Sequence, residues 1–306
     1  MTKVDISTEF AGLKLQNPLI LAAGVLGISG HTLRRVGESG AGAVVTKSYG
    51  VDPRTGYRNP TVVEVAGGLI NAMGLPNPGV AELEEEIVEA RKAGVPIIAS
   101  IYGCDESDYV KAARIAESAA PEAIELNVSC PHVKEVGAQI GQDADAVEKI
   151  TRAVRDNVRI PLLVKLSPNV TNVVEIAESA QRGGADALTA ANTLKALAID
   201  VDAMRPVLAA GAGGLSGPAI KSVILRCVYE IMKSIDIPVI GCGGVTNWHD
   251  VVEYTLAGAA AVQIGKALMY KDLAVFKEIQ EGLREYLIKK NIRSLSDIRG
   301  LALDAR

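Results

Sequence analysis

The chain has 306 residues, about two average domains by length, although alternating α/β folds routinely use roughly 250 residues as one unit. With 48% hydrophobic and 22% charged residues, it can bury a large core, which excludes intrinsic disorder as its main state. The formal net charge of −4, with Lys and Arg scattered along the chain, leaves no basic field for nucleic acid.

Aromatic residues make up only 4% of the chain against 30 glycines, so the core is expected to be built from Ala, Val, Ile and Leu, as in parallel α/β folds. In chain order, Val4 to Leu15, with Ala11-Gly12 at its middle, predicts a hairpin ahead of the Asn17-Pro18 turn. Eight short apolar runs follow: Leu19 to Ala22, Ala43 to Thr46, Ile97 to Ile101, Ala123 to Asn127, Leu162 to Leu166, Ala187 to Ala191, Val239 to Cys242 and Ala261 to Ile264. Each is short and lacks strict alternation, as expected of strands covered on both faces. Amphipathic stretches separate most of them: Ala81 to Ala93, Ser107 to Ala119, Ala144 to Asn157, Asn172 to Arg182, Gly217 to Ser234 and Trp248 to Ala257. This alternation predicts an α/β fold, a (β/α)8 TIM barrel with the N-terminal hairpin plugging its bottom. With no linker or low-complexity tract, 1–306 is expected to be one domain. A doubly wound sheet would need G-x-G-x-x-G after the first strand, and Gly24-Val25-Leu26-Gly27 does not match.

Two connections are too long for simple turns, Tyr49 to Val80 after the second strand and Asn192 to Ser216 after the sixth, and long loops at this end are usually functional. The apolar stretch Leu19 to Ile28 is about ten residues, short of the roughly 18 needed to span a bilayer, and no signal peptide is evident, so a cytoplasmic protein without membrane association is expected. The four cysteines are irregularly spaced, which indicates neither a disulfide framework nor a zinc site.

Active sites of such barrels lie at the C-terminal ends of the strands. There the sequence places Gly24, Lys47, Ser48, Asn127, Ser129, Cys130, Lys165, Ser167, Asn192, Thr193, Gly243, Gly244, Gly265 and Lys266. A mouth with lysines and amides but almost no carboxylates suits an anion rather than a divalent metal. Gly241 to Gly244, followed by Val245-Thr246-Asn247, and Gly265 after the eighth strand fit a phosphate site of exposed N–H groups near a helix start. Lys165 fits a Schiff-base lysine, a partner for an anion, or a solvated end residue, the last being disfavoured in a barrel mouth. Cys227 and Cys242 read as small core residues. Cys130 differs, because Pro131 stops its segment from continuing as a central strand and puts it on a loop over the site. His132 beside it is either a second polar contact or a plain loop residue.

Taken together, Thr46-Lys47-Ser48, Asn71 to Asn77 (NAMGLPN), Asn127 to Pro131 (NVSCP), Lys165 to Asn169 (KLSPN), Asn192-Thr193, Leu215-Ser216-Gly217 and Gly241 to Gly244 resemble the dihydroorotate dehydrogenases, flavin enzymes of pyrimidine synthesis. The resemblance runs over nearly the whole chain. It implies an FMN across the mouth, its phosphate held by Gly217, Gly243, Gly244, Gly265 and Lys266, with Ala23, Gly24, Lys47, Ser48, Asn127 and Lys165 near the ring. It implies dihydroorotate contacts from Lys47, Asn71, Met73, Gly74, Leu75, Asn127, Asn192 and Thr193. Cys130 would take the proton from C5 while hydride leaves C6 for the flavin; a thiol with a reference pKa of about 8.5 needs local positive charge or elevated pH to act as base. A Cys at the base position and the lack of a membrane-associating helix resemble the soluble class; within it, Asn192-Thr193-Leu194 and the segment ending Ile199-Asp200 resemble the NAD-linked branch, which implies a partner subunit carrying FAD and a 2Fe-2S cluster around a homodimeric core, a heterotetramer. His132 and Lys266 depart from the family pattern, where Asn and a small hydroxyl residue or Arg are usual. A dihydropyrimidine dehydrogenase, a flavin-free Schiff-base lyase using Lys165 and a noncatalytic flavin- or metabolite-binding barrel are the competing readings.

Overall fold

The computed structural model describes residues 4–128 and 140–304. The strands β1 (Leu19–Leu21), β2 (Ala43–Val45), β3 (Ile97–Ile101), β4 (Ala123–Asn127), β5 (Leu162–Lys165), β6 (Ala187–Ala190), β7 (Val239–Cys242) and β8 (Ala261–Ile264) close a parallel barrel in sequence order, with β8 pairing back onto β1. All eight lie within the apolar runs expected of them. Four end one residue early.

The pleat explains the composition. Successive side chains on a strand face opposite ways, so Leu19, Leu21, Val44, Ile97 and Ala99 join the core under the helices. Their neighbours Ile20, Val45, Ile98, Leu163 and Ile240 fill the barrel interior together with Phe10, Leu13 and Leu15. Those last three come from the hairpin Thr8–Phe10 and Leu13–Leu15, whose tight turn is made by Ala11 (φ 47°) and Gly12 (φ 77°). It closes the N-terminal end of the barrel, as expected, with Thr8 Oγ1 donating to Ala260 O at 2.7 Å.

Helices α1 (Gly30–Glu38), α2 (Leu83–Ala90), α3 (Glu106–Ser118), α4 (Ala144–Asn157), α5 (Val173–Arg182), α6 (Lys221–Met232), α7 (Trp248–Leu256) and α8 (Ala274–Lys290) cover the barrel. Asp105, Asp143, Asn172 and Asn247 cap α3, α4, α5 and α7 by accepting from backbone N–H groups in the first turn. The periodicity did not name α1, which carries Gly30 and Gly37, residues of low helix propensity. They are contact residues: a Cβ at Gly30 would lie 2.3 Å from Glu86 O in α2. No helix among the described residues is long and apolar enough to cross a membrane.

The two long connections build a layer that the periodicity did not foresee. Val62–Val65 and Gly68–Asn71 from the loop after β2 pair antiparallel, and Gly213–Ser216 and Leu194–Ala196 from the loop after β6 extend them into a four-stranded sheet. Its residues Leu69, Asn71 and Ser216 line the same cavity as the C-terminal ends of the barrel strands.

Candidate active site

That cavity has a volume of about 530 Å³, within the range of small-molecule and cofactor sites. Every cofactor and substrate residue implied by the resemblance lines it among the described ones, whereas Ser167, Gly241 and Asn247, also read at the strand ends, do not. Ala23 and Gly24 follow β1, Lys47 and Ser48 follow β2, and Asn127 and Lys165 end β4 and β5. Asn192 and Thr193 follow β6. Gly217, Gly243, Gly244, Gly265 and Lys266 form one corner, and Asn71, Met73, Gly74 and Leu75 come from the loop after β2. Cys130, with Ser129, Pro131 and His132, lies outside the described residues.

The amides are pre-positioned. Asn127 is 8% exposed, and its Nδ2 donates to Ser48 Oγ at 3.1 Å, which in turn meets Ser100 Oγ at 2.9 Å. Asn192 Nδ2 donates to Asn127 Oδ1 at 3.3 Å, so the orientation of one amide fixes that of the next. Asn77 closes the NAMGLPN segment from behind: its Oδ1 accepts from Gly50 N and Gly79 N, and its Nδ2 donates to Leu75 O and Tyr102 OH. Of that motif, Asn71, Met73, Gly74 and Leu75 face the cavity and Asn77 holds their loop in shape.

The glycine corner fits an oxyanion group that approaches the backbone closely. Gly217 has φ 107°, and a Cβ there would meet Gly67 O at 3.0 Å and Lys266 Cδ at 2.7 Å. Gly244 has φ 71°, with Lys221 Cβ 2.6 Å from where its own Cβ would stand. Side chains at either position would occupy the cradle and strain the turn. Gly217 leads into a 3-10 turn, Pro218–Ile220, that opens α6, and Lys266 Nζ sits 4.1 Å from the centre of the Tyr270 ring, a cation–π contact that holds the ammonium near this corner. The β7–α7 loop is tied by Asp250, whose Oδ2 accepts from Thr246 N, Thr246 Oγ1 and Asn247 N while Oδ1 accepts from Lys221 Nζ at 2.8 Å. Burial works to raise the Asp250 pKa, but these bonds outweigh it and hold the carboxyl below its ordinary value.

Lys165 is 6% exposed. Its Nζ donates to Gln263 Oε1 at 2.8 Å and lies 3.8 Å from Glu125 Oε1. Burial tends to lower its pKa, but Cys242 and Glu125 raise it, and the net displacement is upward. Cys242 is therefore no plain core residue as expected: it lines the cavity beside this ammonium. Cys227, fully buried on α6, is one. Glu125, Thr189 and Gln263 went unread in the sequence because the runs containing them looked uniformly apolar. The signal was the two-residue period, which puts Ser100, Glu125, Lys165, Thr189, Cys242 and Gln263 one step above the interior residues Ile98, Ala123, Leu163, Ala187, Ile240 and Ala261. Among the described residues no cluster of His, Cys, Asp and Glu is arranged to hold a metal ion.

A cavity that combines an anion cradle at one corner, a charged lysine in the wall and a row of oriented amides suits a phosphorylated planar cofactor with a small polar substrate beside it. Comparison with known proteins gives a family. The family model described as dihydroorotate dehydrogenase matches residues 5–287. The chain is 50% identical over 299 residues to the "Dihydroorotate dehydrogenase B (NAD(+)), catalytic subunit" of Methanocella arvoryzae, covering 98% of each chain. Proteins of the same name from Pyrococcus horikoshii and Methanocaldococcus jannaschii are 48% and 44% identical, each alignment covering 99% of both chains.

Proposed function

The chain belongs to the dihydroorotate dehydrogenase family, and from that membership we propose that it is the FMN-binding catalytic subunit that oxidises dihydroorotate to orotate in pyrimidine synthesis, with residues 1–306 acting as one domain. The observation that carries the reading is the single cavity in which the predicted amides, lysines and glycines converge. The bound flavin supplies the hydride acceptor for C6 of the substrate. In this reading Gly217, Gly243, Gly244 and Gly265 hold the phosphate with Lys266, while Ala23, Gly24, Ser48 and Asn127 flank the ring. Lys165 places a positive charge beside the part of the ring that gains negative charge on reduction. Lys47 meets the substrate carboxylate. Asn71, Asn127, Asn192 and Thr193 bond its ring amides, and Met73, Gly74 and Leu75 cover it and exclude water. Cys130 removes the C5 proton.

A Schiff-base lyase finds no support at Lys165, since a raised pKa keeps the amine protonated and non-nucleophilic. A uracil- or thymine-reducing enzyme would lack the substrate carboxylate that Lys47 is suited to receive. The relatives' name includes NAD(+) and "catalytic subunit". The electrons of this chain therefore pass, in our proposal, to a second subunit with FAD and a 2Fe-2S cluster, in a heterotetramer built on a homodimer.

The test is optical. Purified protein should show flavin absorbance, release FMN rather than FAD on extraction, and bleach when dihydroorotate is added without oxygen. A colourless preparation that takes up no added FMN would refute the assignment, and bleaching by dihydrouracil instead would move it to the second enzyme class.

A further inference from the structure

Glu125 is fully buried on β4 and does not line the cavity. Its Oε2 accepts from Thr189 Oγ1 of β6 at 2.8 Å and from Gln263 Nε2 of β8 at 2.6 Å. Among the described residues its Oε1 accepts no hydrogen bond, and the Lys165 ammonium lies 3.8 Å away. The arrangement is directional. A carboxylate only accepts, so it turns the Gln263 amide to donate through Nε2, and the amide oxygen is thereby left to accept from Lys165.

We propose that Glu125 is a positioning residue for the reaction: from beneath the cavity its carboxylate fixes the Lys165 ammonium directly by charge and indirectly through Gln263, so that the cavity wall carries a permanent positive charge. Isolated burial of an ammonium is costly enough that the group would otherwise give up its proton. Around Lys165, β4 contributes Glu125, β7 Cys242 and β8 the neutral Gln263. Burial pushes the Cys242 thiol above its ordinary pKa despite the neighbouring lysine. Of the two groups that raise Lys165, the carboxyl is by type the far stronger acid. The pair does not act to tighten the barrel, since buried ion pairs stabilise little relative to packed apolar residues.

The consequence for the reaction rests on the proposed placing of the flavin over Lys165, so two readouts are needed. In the full chain stripped of flavin and labelled at lysine Cε, the Lys165 resonance, assigned by its loss in Lys165→Met, should stay in its charged position through pH 9. In Glu125→Gln the midpoint should fall by about one to three units, and the exchanged pair Glu125→Gln/Gln263→Glu should restore it. In FMN-loaded protein, sulfite, whose adduct with a flavin is anionic, should bind Glu125→Gln more weakly than wild type by about tenfold for each pH unit above the lowered Lys165 midpoint.

An unchanged midpoint in Glu125→Gln, or a wild-type Lys165 that loses its proton below pH 8, would overturn the proposal. If Glu125→Gln does not fold, the wild-type titration and the exchanged pair decide. A purely structural role would lower thermal stability without moving the midpoint. Lys165→Met that binds sulfite as tightly as wild type overturns the placing of the flavin instead, and the flavin-free titration still decides the coupling of Glu125 to Lys165.

Discussion

Individual side chains divide here into those that touch the reacting molecule and those that hold them. Cys130 belongs to the first group in the proposed function, and Cys130→Ala should bind orotate while losing about 100-fold to 10,000-fold in turnover, the usual cost of removing a general base. Stopped-flow measurement of flavin reduction checks this, and near-normal reduction would pass the role to His132. Asp250 belongs to the second group. Its carboxyl is held below the ordinary value, so it stabilises the fold at pH values above its unfolded pKa of about 3.9 and loses that contribution as pH falls through the folded value. Asp250→Asn should melt earlier than wild type at pH 7, by about 1–3 kcal/mol for the lost charged bonds, and the gap should close as pH is lowered below about 4. A gap independent of pH would show that packing rather than charge is at work.

At the level of elements, the hairpin and the cap sheet do different work at opposite ends of the barrel. The hairpin was legible because Ala11-Gly12 supplies a two-residue turn between short alternating segments. Phe10, 3% exposed and packed with Ile20, Val45 and Ile98, anchors it. Phe10→Ala should cost about 3–5 kcal/mol by leaving a cavity in the barrel floor, with the bound flavin's spectrum unchanged because the mouth lies at the other end. Denaturant midpoints together with the visible spectrum test both halves of that statement. The cap sheet was not legible. Val62–Val65, Gly68–Asn71, Leu194–Ala196 and Gly213–Ser216 are short segments, two of them glycine-bearing, that lack a clear period. They form one sheet because Asn71 pairs both with Val62, in its own loop, and with Gly214, 143 residues further along the chain. Asn71 Nδ2 also donates to Gly214 O at 3.3 Å, so this predicted substrate contact helps to join the two loops that roof the site.

For the molecule as a whole, the proposed electron-transfer partner sets the expectation about electron flow. The isolated chain should reduce artificial acceptors, reduce NAD poorly or not at all, and gain NAD activity when mixed with the proposed FAD and iron–sulfur subunit. Efficient NAD reduction by the chain alone would refute the need for a partner, and fumarate reduction at a comparable rate would place the chain in a self-sufficient branch. The sequence by itself determined the eight-strand ladder, the hairpin plug and the residues of the mouth, because strands covered on both faces read as apolar runs and catalytic residues follow directly at their ends. Only the tertiary structure decided that two distant loops form one sheet over the cavity, that Gly30 packs α1 closely against α2, and that Glu125 and Gln263 stand beside Lys165. Each of these depends on which side of a strand or helix meets which neighbour, and a one-dimensional pattern carries that information only once the barrel is closed.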